Sequence, residues 1–159
     1  MRRIRRIYTD LMPSQSVASV SGVFYSATMS PMTEEKDRVA VLVDDMFFAV
    51  RINSAAEACG RKIDRVKSRE QLEGLRAAPP SLVIIDLNSD RLGPIETIRY
   101  LKTQADLNAV PIVGFVSHVQ TDLIRSAQTA GCDYVLPRSA FTQMLVEIVA
   151  GNLSKLGPR

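Results

Sequence analysis

The chain has 159 residues, of which 46% are apolar and 23% charged, a length and composition that suit one packed domain. Its net charge of +3 is local: Arg2, Arg3, Arg5 and Arg6 against Asp10 supply all of it before residue 32, so the body is neutral and gives no reason to expect direct DNA binding. Cys59 and Cys132 form no C-x-x-C or Cys/His cluster, and no run approaches the roughly 18 apolar residues of a membrane span, which argues against a disulfide or zinc framework and against membrane insertion; a cytoplasmic protein with reduced thiols is expected.

Residues 1–36 read as a flexible, basic extension. They hold the Arg cluster, Pro13, Pro31 and a Ser-rich run without sustained periodicity, too little apolar pattern to offset the entropy of ordering. The basic start followed by Ser16-Val-Ala-Ser-Val-Ser-Gly-Val-Phe24 bears a faint likeness to a targeting peptide, but serines interrupt the apolar stretch. An arm for anionic partners and a dispensable upstream start are the other readings.

From Asp37 the pattern alternates. Residues 39–43 form a first buried strand, and 46–59 have helical spacing with Gly60 suited to the C-terminal cap. Residues 61–66 make a short second strand; Ser68-Arg-Glu-Gln71 has the capping-box form and opens a helix that must end before Pro79. Residues 82–85 are Leu or β-branched throughout, as in a strand covered on both faces. A helix follows from Pro94 to about Gln104, then a strand over 110–116 with Pro111 near its start. Thr121 caps a helix ending at Gly131, residues 134–136 are the fifth strand, and Ser139 caps a last helix to about Ala150. Five strands alternating with five helices over 37–151, followed by a tail over 152–159, predict an α/β fold: a doubly wound, parallel five-stranded sheet.

The chemistry sits where two buried strands run out. Asp44 and Asp45 follow the first strand and Asp86 follows the third, and the carboxyl ends of neighbouring parallel strands lie side by side, so these acids converge on one crevice. Its size suits a hydrated divalent ion. Neither a phosphate-binding Gly loop, H-E-x-x-H nor G-x-S-x-G occurs, and two carboxylates would repel a dinucleotide phosphate where glycines should stand. A small metal-assisted hydrolase is the remaining enzyme reading.

Four segments, in order and on the right elements, resemble the receiver domain of bacterial two-component response regulators: Val43-Asp-Asp45, Ile84-Ile-Asp-Leu-Asn88, Pro111-Ile-Val113, and Ala130-Gly-Cys-Asp-Tyr-Val-Leu-Pro-Arg138. The resemblance covers about residues 37–151 and implies the flavodoxin-like receiver fold. It implies a phosphoacceptor signalling protein, not an enzyme. Asp86 would take a phosphoryl group from a sensor histidine kinase or phosphotransfer protein. Mg²⁺ would be held by Asp45, Asp86 and the backbone carbonyl of Asn88, with Asp44 acting through a coordinating water. Output would pass by contact with a downstream protein, through the last two helices and fifth strand, since only eight residues follow the last helix turn.

The departures from that family lie across the pocket. Its Lys position falls on Arg138 and the following Pro on Ser139; Arg is cationic and forked but not equivalent to Lys. Its phosphate-sensing hydroxyl falls on Val116 by counting from Pro111, or on Ser117 with a one-residue bulge. Its switch aromatic falls on Val135, with Tyr134 on the opposite face. A receiver that keeps the fold but works without phosphorylation, as a protein-interaction module, is therefore the alternative. His118 belongs at the crevice mouth as an ordinary loop residue, proton donor or metal ligand; one of Phe47 and Phe48 belongs in the core, and Arg91 reads as solvated.

Overall fold

The computed structural model describes residues 37–117 and 120–157. Strand β1 (Arg38–Leu42) leads to α1 (Met46–Ala58), β2 (Lys62–Arg65), α2 (Arg69–Gly74), β3 (Leu82–Asp86), α3 (Pro94–Thr103), β4 (Ile112–Val116), α4 (Thr121–Ala130) and β5 (Tyr134–Pro137). Two short helices, α5 (Arg138–Gln143) and α6 (Leu145–Ala150), and a 3₁₀ turn over Leu153–Leu156 complete the described residues. The sheet is parallel throughout, in the order β2-β1-β3-β4-β5. This is the doubly wound architecture the sequence predicts, reached by the crossover helices that parallel strands require.

Alternation along each buried strand divides the core in two. Ala40, Leu42, Val83, Ile85, Ile112 and Val116 face Leu72 of α2, Ile98 and Leu101 of α3 and Ala127 of α4. Val39, Val41, Ile84, Val113 and Phe115 face Phe48 and Ile52 of α1, Phe141 of α5 and Ile148 of α6. On that second face the rings stack in series, Phe48 on Phe115 at 5.4 Å and Phe115 on Phe141 at 4.4 Å between centroids. Each buried ring contributes on the order of 3–5 kcal/mol against truncation to Ala.

Local chemistry sets some helix ends and not others: α4 and α5 start after Gln120 and Pro137 without a side-chain cap, so the caps expected at Thr121 and Ser139 do not form. Ser68 accepts from Gln71 N, and Gln71 Oε1 reaches back to Lys67 N, a variant of the reciprocal capping arrangement. Helix α2 stops at Gly74, short of Pro79, and its exit tightens into i→i−3 bonds from Leu75, Arg76 and Ala77. The single last helix expected over 139–150 is instead bent at Met144 (φ −100°, ψ 8°), although Met144 N still donates to Ala140 O and Ile148 N to Met144 O. Beyond it, Leu153 and Leu156 of the 3₁₀ turn pack against the second core. Among the described residues no helix is long and apolar enough to cross a membrane. Both cysteines are free thiols, Cys132 buried and Cys59 half-buried.

At the end of the sheet where β4 begins, Lys102 Nζ donates to Asp133 Oδ2 (2.9 Å), Val110 O (3.1 Å) and Asn108 O (3.2 Å), while Asp133 Oδ2 also accepts from Ile112 N (2.9 Å). Gly131, at φ +107°, lets the chain turn against Lys102, whose Cγ would lie 2.8 Å from any Cβ placed there. The acids identified from sequence lie at the opposite end.

Candidate functional site

The strand order reverses between β1 and β3, and in an open α/β sheet such a reversal leaves a crevice beyond the carboxyl ends of the two strands. Asp44 and Asp45 leave β1 at this point and Asp86 ends β3, so the structure brings all three to one place. Asp86 pairs across the sheet with Phe115 and shares its orientation, toward the aromatic side of the core. Only 4% of it is exposed, and it is the one buried ionisable carboxylate among the described residues.

Each carboxylate is held differently. Asp86 Oδ1 accepts from Asn88 N at 3.0 Å. Asp45 is the N-cap of α1, its Oδ1 accepting from Phe47 N (2.9 Å) and Phe48 N (3.3 Å), which satisfies two orphan donors and places a negative charge at the positive end of the helix dipole. Asp44 Oδ1 pairs with Arg91 Nε at 2.9 Å and its Oδ2 accepts from Ser89 Oγ. Arg91, expected to be merely solvated, thus ties the loop after β3 to the acids after β1; the two residues are 47 positions apart, a pairing that no local pattern encodes.

Arg138 closes the pocket from the start of α5. Its Nη2 lies 3.4 Å from Asp86 Oδ2 and its Nη1 3.6 Å from Asp45 Oδ2, so one guanidinium spans two carboxylates. The guanidinium carbon sits 4.4 Å from the centroid of Phe48 and 5.8 Å from that of Phe115, within cation–π range of both rings. Its Nε is buried without a hydrogen-bond partner among the described residues. Burial pushes the Asp86 carboxyl above the ordinary carboxylate value; the Asn88 N–H and the Arg138 charge pull it down, while Asp45 and Asp44 add to the rise. Desolvation wins because the Arg138 contacts are long.

The other predicted residues fall as follows. Besides its backbone N–H on Asp86, Asn88 uses its side chain, Oδ1 accepting from Ser117 N (2.7 Å) and Nδ2 donating to Gln120 Oε1 (3.2 Å), so it joins the loops after β3 and β4. Pairing of β3 with β4 runs in regular register to Asp86↔Phe115, and Val116 is fully buried in the first core, with Ser117 just beyond the strand. Val135 packs on the first core and Tyr134 on the second. Phe48 is the core ring, and Phe47 is 65% exposed. Ser139 is exposed. His118 and the basic extension over 1–36 lie outside the described residues.

Protein groups already engage the carboxylate oxygens of Asp44, Asp45 and Asp86, which the resemblance assigns to Mg²⁺. Among the described residues no three His, Cys, Asp or Glu side chains are grouped to hold an ion. Arg138 occupies the interval between Asp45 and Asp86, and Asp44 is turned to Ser89 and Arg91.

No family model matches the sequence. Among solved structures, the chain is similar to a phosphorylated cyanobacterial phytochrome response regulator, RcpA (TM-score 0.62, 18% identity, 76% of this chain and 94% of that one). It is similar also to the chemotaxis response regulator CheY4 of Vibrio cholerae (TM-score 0.63, 15% identity, 77% and 99%). The chain has the receiver fold. A third receiver, Rcp1 in its Mn²⁺-bound form, aligns with TM-score 0.60 at 16% identity over 74% of this chain and 92% of that one. At these identities the likeness establishes architecture, and the contents of the pocket must be argued from its own side chains.

Proposed function

We propose that this protein is a receiver-type signalling protein that accepts a phosphoryl group on Asp86 and passes on its state by contact with another protein. The observation that carries the reading is the placement of Asp86: sealed at the end of a central strand, one oxygen fixed by Asn88 N and the other beside a cation. An oxygen of this carboxylate would form the new O–P bond as the P–N bond of a phosphohistidine donor breaks, the bonding pair leaving with the imidazole. The product is an acyl phosphate. Arg138 would meet the phosphoryl oxygens with a planar pair of donors. In the form implied by the resemblance, Mg²⁺ would supply further charge neutralisation.

The donor would be a histidine kinase or phosphotransfer protein, and the receiver a substrate of it more than an enzyme. Intact-protein mass after incubation with acetyl phosphate, with and without Mg²⁺, tests the reading. A phosphoryl adduct present in the wild type and absent from folded Asp86→Asn is expected. An adduct retained in Asp86→Asn would mean that another residue is the acceptor.

One arrangement favours the second reading, a phosphorylation-independent interaction module. Arg138 already spans Asp86 and Asp45, and the family's switch aromatic falls on Val135, with its hydroxyl position on Val116 by simple counting or on Ser117 with a bulge. Absence of an adduct from both acetyl phosphate and a phosphohistidine donor, in folded protein, would select it.

A further inference from the structure

The pocket contains its own cations, and every carboxylate oxygen in it is already engaged. Asp44 uses Oδ1 on Arg91 and Oδ2 on Ser89 Oγ. Asp45 uses Oδ1 on the amides of Phe47 and Phe48 and Oδ2 on Arg138. Asp86 uses Oδ1 on Asn88 N and Oδ2 on Arg138. Three carboxylates against two guanidiniums leave a single negative charge, which a divalent ion would overcompensate.

From this we infer that Arg138, seconded by Arg91 at the rim, is the resident counter-ion of the pocket and takes the place of a divalent metal ion. The geometry of Arg138 is that of a bridge. Its two terminal nitrogens go to different carboxylates instead of forking onto one, which puts the guanidinium carbon between Asp45 and Asp86, where a bridging cation would be needed.

The holder is as specific as the charge. Phe48 lies beneath the guanidinium at 4.4 Å, stacked in turn on Phe115, so the planar group rests on a rigid aromatic floor that suits a delocalised cation and not a hydrated one. Mg²⁺ demands about six oxygen ligands in near-ideal octahedral geometry and sheds water reluctantly. To enter, it would have to displace a cation and break the contacts that hold the acids. The inference concerns the same pocket as the proposed phosphoryl uptake but does not depend on it: an internal counter-ion would serve a working phosphoacceptor and a permanently closed module alike.

Titration of the folded full chain with Mn²⁺ alone, followed by electron paramagnetic resonance of the free ion, tests the inference. The wild type should show no saturable site up to about 10 mM, above the range of weak protein sites for divalent ions. Arg138→Gln removes the bridge charge while leaving a planar polar end, and should create a site at least about ten-fold tighter that a second change, Asp86→Asn, abolishes. Arg138→Lys, which carries a point charge able to serve only one carboxylate, should bind Mn²⁺ between these limits; it decides the matter if Arg138→Gln does not fold. Saturable submillimolar Mn²⁺ binding by the wild type, lost in Asp86→Asn, would overturn the inference. So would folded Arg138 variants that bind no Mn²⁺. Phosphoryl uptake is read separately by mass, so failure of either idea leaves the other measurable.

Discussion

Asp86 is an ionisable group whose burial penalises its charged form. Its carboxyl is raised above the ordinary value of 3.8 chiefly by burial, with Asp45 and Asp44 adding to the rise and Asn88 N–H and Arg138 opposing it. The sign follows from linkage. Well below 3.8 the group is protonated in folded and unfolded chains alike; as pH rises, the unfolded chain releases its proton first, so stability falls until the folded value is passed and stays lower thereafter. Asp86→Asn keeps an acceptor for Asn88 N and lacks the titration. Its unfolding midpoint should therefore exceed that of the wild type at neutral pH, with the difference shrinking toward pH ~4. Thermal unfolding of both proteins across that range checks this, and a wild type that gained stability relative to Asp86→Asn as pH rises would show that the Arg138 pairing, not burial, governs the ionisation of Asp86.

At the scale of elements, Asp45 has two duties that can be separated. As N-cap it accepts from two amides of α1, and across the pocket it meets Arg138. Asp45→Asn retains a good cap without the charge, whereas Asp45→Ala loses both. Chemical denaturation should find Asp45→Ala less stable by about 1 kcal/mol than Asp45→Asn, the usual worth of a cap. Equal stabilities would mean that the amides of Phe47 and Phe48 find water instead. The parallel strands are legible in the sequence, because their unbroken apolar runs can only be buried on both faces; Asp45 is read there as a metal ligand and not as a cap, although an Asp directly before an apolar helical period is the local signal that would have found it. The bend at Met144 and the packed 3₁₀ turn carry no such signal, since tertiary contacts with the second core hold them. Within the site, convergence of Asp44, Asp45 and Asp86 follows from topology, and their being bridged by Arg138 and Arg91 does not. Those pairings depend on side-chain reach across loops that the chain pattern leaves unspecified.

The whole molecule divides its work between the two ends of the sheet. Beyond the carboxyl ends of β1 and β3 the chain gathers like charges, exposes the Asp44–Arg91 pair and leaves Arg138 Nε unpartnered among the described residues, a costly arrangement that a binding end can carry. At the opposite end Lys102 and Asp133, with side chains 20% and 14% exposed, hold α3, the turn before β4 and the approach to β5 together. A pair this far from solvent is costly to break from one side, because the ammonium serves three oxygens at once. Lys102→Met keeps the length and apolar stem but withdraws all three bonds, and should lower stability by about 2 kcal/mol. If the ends are independent, the same variant, folded, should keep the acetyl phosphate response and the Mn²⁺ behaviour of the wild type. Urea denaturation gives the first quantity, and mass spectrometry with Mn²⁺ titration the second. A Lys102→Met protein that changed its pocket chemistry without losing stability would show that the clasp sets the position of β4 and, through Ser117 N and Asn88, the loop that holds Asp86.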